Sequence, residues 1–70
     1  MEDNELPIRF TFHPAHGTQG ERHERIRAKG LELALVIDDL APDSREKSLA
    51  FTALEEAVMW ANASIARREP

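Results

Sequence analysis

The sequence predicts an all-α chain folded as an antiparallel helical hairpin, and three observations carry that expectation. Residues 43–68, DSREKSLAFTALEEAVMWANASIARR, contain no Gly and no Pro and repeat their apolar positions at helical spacing. Residues 21–40 set Ile26, Leu33, Ile37 and Leu40 at steps of seven, four and three, again one helical face. The link between them is only Leu40-Ala41-Pro42-Asp43. Helices joined so tightly must run antiparallel.

The second helix is the spine. At ~1.5 Å per residue it would run roughly 38 Å, which leaves the rest of a 70-residue chain to pack along it. Pro42 stops the first helix, and Asp43 is expected to cap the second, with Glu46 three residues on as a capping box. Leu54, Ala57 or Val58, Ala61 and Ile65 form the expected packing stripe. Leu49, Phe51, Met59 and Trp60 fall partly off it, and Leu31 to Ile37 (LELALVI) is apolar nearly all round. One hairpin cannot cover that much apolar surface, so self-association is expected. Gly30 interrupts the first helix at a cost of ~1 kcal/mol relative to Ala, which implies a bend or a close neighbour.

Residues 1–5 are acidic and polar, an expected frayed end. Residues 6–12, LPIRFTF, alternate: Ile8, Phe10 and Phe12 point one way, Arg9 and Thr11 the other. Nothing else in the chain pairs with them as a hairpin, so they are expected to form a short arm, extended or helical, laid on the helices of this or another subunit. Residues 13–20, HPAHGTQG, read as a loop, because Pro14 disfavours helix at His13 and two glycines permit turns.

Composition narrows the function. There is no Cys, so no disulfide supports this small core; a metal or an oligomer is what remains. A formal net charge of −4 argues against a binder of DNA or RNA polymers, though not against a small anion held by a few clustered cations. No apolar run reaches the ~20 residues of a membrane span and the N-terminus does not open as a signal peptide, so a cytoplasmic protein is expected.

His13, His16 and His23 are the metal candidates, but none is at helical i, i+4 spacing and no Cys joins them; the reading preferred is exposed loop histidines and no metal. Glu55 and Glu56 are adjacent and diverge by ~100° on a helix, so they are not a facing acid–base pair, and no catalytic constellation is apparent. The chain is not expected to be an enzyme or to need a cofactor. Arg22, Arg25, Arg27 and Lys29 are a basic run in an acidic protein. They form either a solvated face partnered by Glu21 and Glu24, or, beside the rings of Phe10, Phe12 and His13, a place for a nucleotide's bases and phosphates. Arg67 and Arg68 in the last turn complement the helix dipole, and symmetry between copies would turn them into a second anion site.

At this point SREKSLAFTALEEAVMWANASIAR, preceded by FTFHP and by ERHERIRAKGLELALVIDDLAPD, closely resembles the small phage anti-CBASS proteins that sequester cyclic oligonucleotide signals. A related sponge that blocks Thoeris defence carries a similar C-terminal signature. The resemblance implies a compact helical homohexamer that binds cyclic dinucleotides such as 3′,3′-cGAMP between two subunits. In some members it also implies cyclic trinucleotides near three-fold axes. Ligand is held, not cleaved, so the host's CBASS effector stays off. Carried over residue by residue, the family's stacking aromatic falls on Phe12, a Phe where the family has Tyr, which keeps stacking but loses a hydroxyl.

The phosphate-contacting cation falls on Arg27 or Lys29, because the loop before them varies in length. The implied dinucleotide set is therefore Phe12, His13, Pro14, Arg27 and Lys29; the ASIAR motif places Ser64 and Arg67 at the trinucleotide site. On this reading residues 1–70 are one ligand-sequestering domain: arm and loop 1–20, first helix 21–40, second helix 43–68. The alternatives are a hairpin regulator that binds a protein partner, and a sponge for Thoeris-type cyclic ADP-ribose signals.

Overall fold

A computed structural model describes residues 5–69. It contains α1 (Glu5–Phe10), α2 (Gln19–Leu40) and α3 (Arg45–Arg68), and no strand among the described residues. α2 and α3 pack side by side as the expected antiparallel hairpin. Cross-hairpin contacts fix the register: Gln19 meets Ile65 and Glu69, His23 meets Asn62, Gly30 lies against Val58, and Asp38 meets Lys47. No helix among the described residues is long and apolar enough to cross a membrane.

The inward line of α2 runs through Gln19, His23, Ile26, Gly30, Ala34, Ile37 and, past the helix end, Ala41. Facing it, α3 presents Lys47, Phe51, Leu54, Val58, Asn62 and Ile65. Leu54, Val58 and Ile65 therefore pack as the sequence predicts, while Ala57 and Ala61 are exposed. Leu33 and Leu40 leave the predicted α2 stripe and are also exposed. The α2 prediction weighted the largest apolar side chains, but Gly30 and Ala34 are what let the two backbones approach. A Cβ built on Gly30 would lie 2.6 Å from Val58 Cγ2, so the glycine marks a close neighbour.

The buried side chains among the described residues are polar ones, Gln19 and Lys47, and no apolar side chain there is buried. The molecule measures 44 × 30 × 13 Å, and 13 Å is about one helix diameter. A slab one helix thick leaves both its faces uncovered. Leu31, Leu35, Leu49, Met59 and Trp60 are all more than half exposed as a result.

Of the two forms left open for the arm, extended or helical, the helical one is found over Glu5–Phe10: with no strand to pair with, an isolated segment satisfies its backbone by helix formation. Pro7 sits in the first turn, where a missing N–H costs little, and Glu5 suits the positive end of the dipole. The cap of α3 is Ser44, not Asp43. Ser44 is extended (φ −169, ψ 169), and its Oγ accepts from the Lys47 N–H at 3.1 Å. That places Glu46 one position short of a capping box. Asp43 instead accepts from Lys47 Nζ at 3.0 Å, and the same ammonium donates to the Asp38 carbonyl at 3.0 Å. Lys47 thus ties the end of α2 to the start of α3. The expected frayed end lies, but for Glu5, outside the described residues.

Candidate ligand groove

At the open end of the hairpin, away from the α2–α3 connection, lies an open groove of about 400 Å³. Its floor is His23 and Arg27 of α2 with Met59, Asn62, Ala63, Ala66 and Arg67 of α3. Its remaining wall is Thr11, Phe12 and His13, from the segment that leaves α1. Phe12 is 84% exposed, a flat ring with an open face at the rim. His13 is held by its own arm: its Nε2 donates to the Ile8 carbonyl at 2.7 Å. His23 Nδ1 donates to Asn62 Oδ1 at 2.8 Å, bridging the two helices under the groove.

Three of the residues expected to bind a dinucleotide, Phe12, His13 and Arg27, therefore meet in one groove. Pro14 and Lys29 do not line it. Lys29 faces solvent and pairs with Glu32 at 3.1 Å. Arg27 is hydrogen-bonded to Glu24, as the solvated-face reading expected, and remains half exposed. Arg22 is drawn away from the run altogether and crosses to Glu69. Ser64 and Arg67 share a second hollow of about 220 Å³ with Trp60, Ala63 and Arg68. Arg67 stands on the ridge between the two hollows and lines both. The three histidines are not gathered: His13 and His23 have the separate partners given above, and no group of potential metal ligands forms among the described residues.

Sequence reasoning missed His23, Asn62 and Met59 as groove residues. His23 and Asn62 are 39 residues apart, and only the hairpin register aligns them. It also missed the polar cluster at the C-terminal end of α3. There Arg22 grips Glu69 with both guanidinium nitrogens at 2.5 Å, while Gln19 donates to the Ile65 carbonyl and to Glu69. Arg68 grips Glu5 in the same two-point fashion at 3.0 Å. Hydrogen bonding from Arg22 holds the Glu69 carboxyl down at about 2, from an ordinary 4.5. Glu5 is lowered by Arg68 for the same reason.

A helical hairpin with an aromatic and guanidinium groove is a scaffold suited to small, flat, anionic ligands. The family model described as Acb2/Tad1, hairpin domain, matches residues 2–66, and the chain belongs to that family. In general terms this makes it a phage anti-defence sponge for cyclic-nucleotide signals, a binding protein by type. No curated protein and no solved structure gives a significant match.

Proposed function

We propose that this protein binds and sequesters cyclic dinucleotides such as 3′,3′-cGAMP without cleaving them, so that a CBASS effector is not activated. The observation that carries the reading is the groove that holds Phe12, His13, Arg27 and Arg67 together. A base stacks on the open face of Phe12, a contact worth ~1–3 kcal/mol, and the guanidinium of Arg27 meets a phosphate. Lys29, next along the same helix, is the other candidate for that phosphate. His13 and Pro14 shape the turn that presents the ring.

The assembly proposed is a homohexamer, with each dinucleotide pocket completed by a second copy. A near two-fold-symmetric ligand matches an isologous interface, in which each half meets the same residues. The exposed apolar faces of α2 and α3 support such an assembly. Ser64 and Arg67, in the second hollow, are proposed to hold a cyclic trinucleotide where copies meet around a three-fold axis. The whole chain, 1–70, acts as one sequestering domain in the host cytoplasm.

The test is to mix the purified protein with 3′,3′-cGAMP, denature it by heat, and analyse the released nucleotide. Intact ligand recovered in proportion to protein supports sequestration. Linearised nucleotide indicates an enzyme, and no uptake at micromolar concentration sinks the reading. Uptake of a cyclic ADP-ribose-type signal in place of cGAMP would move the protein to the Thoeris-blocking side of its family. Uptake of neither would leave a hairpin that uses its apolar faces on a protein partner.

A further inference from the structure

The arm that carries Phe12 and His13 has no buried residue among those described. α1 buries no residue, Phe10 and Phe12 are 83% and 84% exposed, and the His13 bond to Ile8 stays within the arm. Two polar ties join the arm and its loop to the hairpin, one at each end. At one end Glu5 is gripped by Arg68; at the other Gln19, which is 2% exposed, accepts from the His16 N–H at 3.2 Å and donates to the Ile65 carbonyl at 3.2 Å. Arg22 then locks Glu69 against Gln19. Both ties end on the same final turn of α3, the turn that presents Arg67 to the groove. Arg68 and Glu69 lie beyond the residues matched by the family model.

From this we infer that Glu69, through Arg22 and Gln19, is a positioning residue for ligand binding: it clasps the final turn of α3 to the start of α2 and so fixes the Phe12–His13 wall opposite Arg27 and Arg67. The inference rests on the groove being the ligand site. Exposed ion pairs as a class contribute little. This one differs in being two-point and in sharing its carboxylate with a buried amide. The clasp also draws Arg22 to Glu69, away from the groove, whose lining cations are Arg27 and Arg67.

The experiment uses the full chain carrying 4-fluorophenylalanine at Phe12, with and without Glu69→Ala, and with the charge exchange Arg22→Glu plus Glu69→Arg. Without ligand, Glu69→Ala is expected to narrow the fluorine resonance and move it toward its unfolded-chain position, while the helical circular dichroism persists. Affinity for 3′,3′-cGAMP, by calorimetric titration, is expected to fall roughly five- to tenfold. The exchange is expected to restore the resonance and bring affinity to within about threefold of the unmodified chain. An unmoved resonance overturns the inference, and so does a moved resonance with unchanged affinity. If Glu69→Ala fails to fold, Glu5→Gln, which loosens the other tie, is held to the same two readouts. If the unmodified chain binds no cyclic nucleotide, the ligand reading falls, and the resonance alone then judges whether the clasp orders Phe12.

Discussion

Gly30→Ala tests how the hairpin is packed, because two effects of known sign oppose each other there. In an exposed helix the change would stabilise by ~1 kcal/mol through backbone entropy. Here the added methyl would sit 2.6 Å from Val58 Cγ2 and 3.9 Å from Val58 Cβ. Val58 is β-branched and in mid-helix, where one χ1 rotamer dominates, so the clash is not relieved by a cheap rotation. The helices must separate instead, at ~1–3 kcal/mol for overpacking. The net is a loss of about 1 kcal/mol, or a fall of roughly 4–8 °C in melting temperature for a domain of this size. Followed by circular dichroism, the sign should reverse on a Val58→Ala background: with the clashing methyl gone, Gly30→Ala should raise the melting temperature. A rise on the Val58 background, or a fall on both, would refute the close approach of α2 and α3 at this point.

The remaining predictions concern the cap, the groove and the clasp. Ser44→Ala should cost about 0.5–2 kcal/mol in thermal unfolding through loss of the cap, and Asp43→Ala should cost less; the reverse order would restore Asp43 as the cap. Phe12→Ala should weaken dinucleotide binding by ~1–3 kcal/mol per stacked base in calorimetry, and an unchanged affinity would remove the ring from the site. Because Arg67 lines both hollows, Arg67→Ala should weaken dinucleotide and trinucleotide alike; loss of the trinucleotide alone would assign it to the smaller hollow. The Glu69 carboxyl is lowered in the folded chain, so its contribution to stability is fully present above its ordinary 4.5 and is lost as pH falls toward about 2. A carboxyl carbon titration by NMR with a midpoint near the ordinary value would show that Arg22 does not hold it.

The hairpin was legible in the sequence for local reasons. Two long windows of helical periodicity, a proline between them and a link of a few residues leave little choice of topology. Gly30 was legible in part: a glycine in mid-helix implies a bend or a close neighbour, and the neighbour is Val58. The candidate site was legible only in part. Phe12, His13 and Arg27 stood out by residue type and by resemblance, and they share the groove; Lys29 and Pro14 were named with them, yet do not line it.

What the linear chain could not reveal depends on register. His23 reaches Asn62, Gln19 and Arg22 reach Glu69, and Glu5 reaches Arg68 across 39 to 63 residues. Periodicity marks which face of a helix turns inward but not which rung meets which. Polar partners, moreover, carry no hydrophobic signal to betray them. The sequence alone determined two antiparallel helices with more apolar surface than they can cover. Only the tertiary structure decided that the enclosed side chains at the hairpin's two ends are an amide and an ammonium. The slab is too thin to bury an apolar residue, whereas a polar group at a helix end can be buried because its hydrogen-bond partners offset the cost of desolvation.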